Sequence, residues 1–287
     1  MSAVDPGLAR TVLRLHRHAL AVWGAFVVLV VAALVLLVEV VADRVHDKIA
    51  TCARTTGVCA ASFSTVDYGI PLNATGNLVT LGFWAVAAWA GGALIARELE
   101  NGTARLAWTQ GVSPGRWLAA KLALPALTLV AGAGVLVAAF RWAWAAHPDL
   151  ADADWSASAE FLTNGPALIA YALCGLAVGT LTGLLLRRQL AALGVSLALA
   201  VAFGRLMDHV RPHLWPTVTR TGAGAGDLVP AHAWEVAASY QTHGTSWATF
   251  HPASHFWPIH LAETSIALAV ATLATAAAFT VQRRTTA

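Results

Sequence analysis

Charge is what this chain of 287 residues has least of: Asp, Glu, Lys and Arg make up 11% of it, against 57% hydrophobic residues and a mean hydropathy of +0.63. So few charges cannot coat a soluble globule of this length, so the composition excludes one and indicates a polytopic membrane protein. A Gly-x-x-x-x-Gly-Lys-[Ser/Thr] phosphate loop is absent, which excludes ATP hydrolysis by that route on this chain. No Ser, Cys or His nucleophile stands in a recognisable local motif, so no catalytic residue is expected. Lysine is scarce too, with 2 among 18 basic residues, and the rest are arginine.

What is present is apolar length. A membrane-crossing helix needs about 20 mostly apolar residues, and six windows qualify: 19–42, 72–96, 117–140, 161–186, 189–208 and 257–281. An even number of crossings puts both chain ends on one side. That side holds Arg10, Arg14, Arg17, Arg97, Arg105, Arg116, Lys121, Arg187, Arg188, Arg283 and Arg284, which are 11 basic residues against 3 acids, while the other side holds 7 against 12. The positive-inside rule then makes both termini cytoplasmic. The first window is too long for a signal-peptide core and lacks a clear small-residue cleavage site, so it is expected to be retained. The expectation is an all-α, multi-pass domain over 1–287.

Residues 1–18 are more than a charged flank. At about 100° per residue, Leu8, Val12, Leu15 and Ala19 share one face and Arg10, Arg14 and Arg17 the opposite one, with Asp5 and Pro6 as a helix start. Such a helix is expected to lie in the inner membrane interface, the alternative being a positive flank that only orients the first span.

Outside, the segment 43–71 holds Cys52 and Cys59, spaced to close a small loop by a disulfide in an oxidising exterior. Two free thiols are the alternative, and Cys174 in the fourth window reads as a small buried hydrophobe. The outer segment 209–256 mixes Gly222, Gly224 and Gly226 with Trp215, Trp234 and Trp247, and a short or re-entrant helix is expected near 230–241. Nine of 11 histidines fall outside. His209 with His213, and His251 with His255, have the four-residue spacing of metal ligands on a helix. Pro212 and Pro252 interrupt both pairs, so solvated loop histidines are expected rather than metal ligands or pH sensors, and no metal site is assigned.

Within the windows, Gly175, Gly179 and Gly183 form a four-residue ladder that lets another helix approach closely. The alternative is chance in a chain rich in small residues. Arg205 and Asp208 have the spacing of a local pair, and Glu263 sits in the last window, where an ionisable group faces a cavity or partner or snorkels to the interface.

The remaining feature is a polar island, 97–121, between the second and third windows. It contains Glu98, Glu100, Gly102, Thr103, Arg105, Leu106, the run Trp108-Thr109-Gln110, Val112, Ser113, Arg116, Trp117 and Lys121. In these residues the chain resembles the cytoplasmic loop of ABC-2 type transporter permeases, particularly a branch with a Trp-Thr-Gln signature. The commoner branches carry a proline where this chain has Gly111.

The resemblance covers the whole chain in layout and is motif-specific only over the island. It implies a type V exporter-like fold with an N-terminal elbow helix over 1–18, a coupling loop at 97–116, and an element between the last two spans. It implies a dimer of permease subunits, alike or paired with a homologue, surrounded by membrane lipids in the cell (plasma) membrane. Each subunit would contact a separate ABC ATPase subunit that binds ATP and Mg, with no cofactor in this chain and no nucleic acid. Glu98, Glu100, Gly102, Thr103 and Arg105 would make polar contacts or anchor helix ends, with Leu106 and Trp108 as apolar plugs into the ATPase. Packing of the loop against the elbow helix is the structural alternative. Phe83, Trp84, Trp89, Leu199 and Phe203 are candidate lining of a cavity for a drug, peptide or lipid, on that analogy alone. A non-transporting sensor or immunity partner, and a metal-dependent membrane enzyme, are the alternative functions.

Overall fold

A computed structural model describes residues 6–55, 63–150, 155–223, 228–230, 232–241 and 244–286. Among them, six helical runs are long and apolar enough to cross a membrane: Arg17–Arg54, Ser64–Glu100, Pro114–Ala146, Ala167–Leu186, Gln189–His213 and Ala253–Arg284. They are called the first to sixth spans below.

The fourth span is the centre of the bundle. Its most apolar stretch is 72% buried, against 22–28% for the first, third, fifth and sixth. Burial here follows from small residues rather than from hydrophobicity, because lipid offers apolar contact to every span alike. The partner is the second span, whose helix widens into a π-helical turn at Trp89–Ala93. Gly91 and Gly92 of that turn lie against the fourth span. A Cβ on Gly179 would stand 2.9 Å from the Gly92 nitrogen, and one on Gly183 would stand 2.8 Å from the Gly92 oxygen. Thr182 Oγ1 and Ser196 Oγ, 3.0 Å apart, then tie the fourth span to the fifth.

Two further π-helical turns, Leu37–Val41 and Ser64–Gly69, lie in the first and second spans. Around them Leu34, Val38, Tyr68, Leu72, Phe83, Leu129 and Leu136 make the largest apolar core, shared by the first four spans.

Five expectations need correction. The helix that starts at Pro6 continues to Leu36 without a break, so the described part of the expected elbow, 6–18, is not a helix separate from the first span. The fourth window is cut: a short helix, Ser158–Thr163, precedes the span, which starts only at Ala167. Pro166 disfavours helix at the preceding residue, and the His260 ring occupies the space that a Cβ on Gly165 would need. His260 Nε2 accepts from the Ala167 amide at 3.0 Å, satisfying one of the free donors at the new helix start.

The domain is also not all-α. Residues 209–256 contain strands β1 Val218–Ala223, β2 Trp234–Ser239 and β3 Thr245–His251, paired antiparallel in the order β1-β3-β2. Consequently 230–241 holds a strand where a re-entrant helix was expected. In β3 the period is two: Ser246, Ala248 and Phe250 are buried, while Thr245 and Trp247 are exposed. Thr219 and Thr249 pair across β1 and β3 with hydroxyls 2.9 Å apart. Finally, Asp208 does not pair with Arg205; it lies 3.2 Å from Arg211.

Cys52 is disulfide-bonded and Cys174 is a buried free thiol. Cys59 lies outside the described residues.

His251 closes β3 against the fifth span. It is buried, and its Nε2 donates to the Pro212 carbonyl at 3.0 Å. Burial pushes its pKa below the usual histidine value, and His255 and His213 push the same way against the Pro212 bond. The unfolded chain takes up a proton near pH 6.5, where folded His251 resists it. Its stabilising contribution is therefore complete above about pH 6.5 and declines as pH falls below it. Hydrogen exchange at 245–251, corrected for intrinsic rate, should accelerate between pH 7 and 5.5, and the acceleration should vanish in His251→Gln.

Candidate functional site

The polar island folds as two turns and a short helix beneath the bundle. The second span ends at Glu100, and Gly102 adopts a φ of 73°, a left-handed value that glycine takes at little cost. Helix Thr103–Thr109 follows, with the Thr103 hydroxyl donating to the Glu98 carbonyl at 3.2 Å. Gly111, at φ 91°, ends the loop. Proline, locked near −65°, could not make this turn, so the Gly111 departure from the commoner pattern has a conformational reason. Ser113 Oγ then accepts from the Arg116 amide to cap the third span.

Ala104, Ala107 and Trp108 form the inner face of the short helix. They pack with Ile95, Trp117, Leu184 and Ala278, which come from the second, third, fourth and sixth spans. Trp108 meets Trp117 edge to face at 5.9 Å. It is therefore turned inward and is not the outward plug expected from the sequence; an indole on this face gains more from the Trp117 ring than from solvent. Arg105, Leu106, Thr109 and Gln110 are exposed on the other face, Leu106 by 59%.

Both glutamates are engaged inside the loop. Glu98 accepts from Trp117 Nε1 at 3.1 Å and pairs with Lys121, which ties the end of the second span to the start of the third. Glu100 Oε2 accepts from the Gln189 amide at 2.9 Å and so caps the fifth span. The chain that leads into the loop helix is thus tied to the third and fifth spans, and the helix exposes its Arg105 and Leu106 face.

Three of the five cavity candidates converge. Trp84, Leu199 and Phe203, with Tyr171, Cys174 and Val270, line an apolar pocket of about 180 Å³ between the second, fourth, fifth and sixth spans. Phe83 does not reach it. Fully buried, it packs edge to face on Trp23 at 4.8 Å, since it stands about 100° round the helix from Trp84. Trp89 lines a separate apolar groove with Trp23 and Pro125.

Beside the pocket lies a charge cluster that sequence reasoning largely missed. Arg211 Nε and Nη2 donate to the two Glu263 oxygens at 2.7 and 2.9 Å, and Tyr171 donates its hydroxyl to the same carboxylate. Ser158 bridges to Asp208 at 2.6 Å and accepts from Arg211 at 3.2 Å. The guanidinium stands 4.3 Å from the Phe161 ring centre. Arg211 and Glu263 are only 2% and 0% exposed, so this bidentate pair compensates two desolvated charges. The one available signal was Glu263 itself, an acid inside an apolar window. Its partner, 52 residues earlier, read as loop.

Six apolar spans, an amphipathic loop helix docked between the second and third, and an interhelical apolar pocket define a membrane-embedded transport subunit. A family model described as ABC-2 membrane transporter related matches residues 24–211, and the chain belongs to that family. The match ends before the sheet and the sixth span. No curated protein and no solved structure matches the chain. ABC-2 permeases normally work with ABC ATPase partners and are themselves transport components rather than catalysts.

Two outcomes follow from the geometry. Glu263→Gln leaves the buried Arg211 charge only the partly exposed Asp208 as counter-ion and should destabilise the protein by up to about 3–5 kcal/mol, read as a drop in thermal unfolding temperature in detergent. Glu100→Ala removes the cap on the fifth span and should cost roughly 0.5–2 kcal/mol by the same measurement.

Proposed function

We propose that this chain is the permease subunit of an ATP-driven exporter, powered by a separate ABC ATPase through the loop helix Thr103–Thr109. The observation that carries this is the division of labour in the loop. Its inner face packs on four spans and Glu98 and Glu100 anchor the chain that enters it, which leaves Arg105 and Leu106 as an exposed contact pair on a firmly mounted helix. A surface that is rigid on one side and free on the other transmits force without absorbing it. The absence of a phosphate loop makes an external source of ATP energy necessary.

In this reading both termini and the loop are cytoplasmic in the plasma membrane, and two permease subunits, identical or homologous, assemble with two ATPase subunits that bind ATP and Mg. Closure of the ATPases pushes the loop, and the bundle alternates between inward and outward opening. The pocket lined by Trp84, Leu199 and Phe203 suits a hydrophobic or amphipathic substrate such as a drug, peptide or lipid.

Co-expression with the cognate ABC ATPase provides the test. The double variant Arg105→Glu, Leu106→Asp should keep its unfolding temperature, since both side chains are exposed, and bind the ATPase at least about tenfold more weakly, a difference of about 1.4 kcal/mol. ATP-dependent transport should fall with it. Undiminished association and transport in that variant would sink the coupling role of this face.

A further inference from the structure

At the end of the bundle opposite the termini, three ligand-bearing side chains converge from distant parts of the chain. His46 lies on the helical continuation of the first span, Ala42–Thr55, while His147 and Asp149 follow immediately after the third span ends at Ala146. One ligand atom of each lies within 4.8 Å of the other two. We propose that His46, His147 and Asp149 form a binding site for a divalent transition metal ion, of the zinc class, that clasps the far ends of the first and third spans.

The donor set is two imidazoles and one carboxylate. It suits a borderline ion such as Zn²⁺ and not Ca²⁺ or Mg²⁺, which require mostly oxygen ligands. His46 Nε2 and Asp149 Oδ2 are already 2.8 Å apart. An ion bound at about 2.0–2.2 Å from each donor needs donors roughly 3.3 Å apart. With all three donors within 4.8 Å of one another, binding needs shifts of at most about 1.5 Å, and Asp149, whose side chain is 62% exposed, is free to adjust.

His147 is held in place as a metal ligand is. Its Nε2 lies 3.2 Å from the Val38 carbonyl, which can only accept, so the proton is on Nε2 and Nδ1 keeps its lone pair. Val38 belongs to the π-helical turn of the first span. The Tyr68 ring, from the π-helical turn of the second, stands edge-on to His147 at 6.1 Å, and its hydroxyl donates to the Ala143 carbonyl. Two irregular turns therefore fix the orientation of one ring. An ion at this point would join the first and third spans to a ring already braced by the second, and three bonds replace the single His46–Asp149 contact.

Tag-free, full-length protein in detergent, stripped with a chelator and titrated with Zn²⁺ by calorimetry and elemental analysis, tests the site. Saturable binding with a raised unfolding temperature is expected. Asp149→Asn and His147→Ala should each weaken it by more than the roughly 10–100-fold that loss of a supporting contact costs, and His255→Ala should leave it intact. His147→Ala also loses the Val38 bond, so Asp149→Asn, on an exposed turn, keeps the test valid if the former folds poorly. Absence of saturable binding, retention of affinity in Asp149→Asn, or loss of the ion in His255→Ala would each overturn the assignment.

Discussion

The contact of the second span with the fourth, backbone against backbone, is the constraint from which the rest of this architecture follows. In lipid, apolar side chains gain nothing from leaving one apolar surface for another, so helices bind through close packing of small residues. Gly91 and Gly92 meet Gly179 and Gly183 at distances that exclude any side chain. The contact falls at the π-helical turn Trp89–Ala93, where a Cβ on Gly91 would meet the fourth span and one on Gly92 the fifth, so the second span is pressed on both. Directly after that turn come Leu94–Glu100 and the loop helix. The position of the loop is thus inherited from a contact in the middle of the membrane.

At the other end, where the chain leaves the fifth span, packing gives way to electrostatics. A buried arginine is costly unless its donors are paired, and Arg211 is satisfied by Glu263, Asp208 and Ser158 together. These come from the sixth span, the fifth span and the short helix Ser158–Thr163. One guanidinium therefore fixes three elements, and the break before the fourth span is what lets the short helix swing toward it. His260 seals the same break by accepting from Ala167. The β-sheet then sits on this closed end, held through His251 and the Pro212 carbonyl.

Much of this was readable from residue order alone, and the reason is physical. Spans are read from runs of about 20 apolar residues, a local property, and the ladder at Gly175, Gly179 and Gly183 is local as well. The turn residues Gly102 and Gly111 and the Ser113 cap likewise carry their own short-range chemistry. What escaped is non-local or short. The partner of the glycine ladder was hidden because a π-helical turn leaves no mark in periodicity. The strands are six or seven residues long, and alternation in Thr245–His251 is diluted by the glycines and tryptophans around it. Arg211 reads as the start of a loop because Pro212 follows it, and nothing in sequence joins it to Glu263. His46 and Asp149, 103 residues apart, were invisible for the same reason, while the histidine pairs with suggestive spacing drew attention elsewhere. Trp108 shows the limit within a legible motif: the pattern located the helix but could not say which face it turned inward.

The pocket occupies the interval between these two fixed ends, and this restricts how it could open. Gly175, beside the glycine contact, and Tyr171, bonded to Glu263, both line it. Neither wall on the fourth span can move without breaking a contact that stabilises the fold. Leu199 and Phe203, by contrast, stand on the fifth span, which is only 22% buried over its most apolar stretch. The start of that span is capped by Glu100, some 10 and 14 residues before them, or about 15 and 21 Å at 1.5 Å per residue. In the proposed cycle, a push on the loop is therefore delivered through Glu100 to the wall of the pocket that the fifth span carries. The fourth span serves as the fixed surface against which the fifth moves.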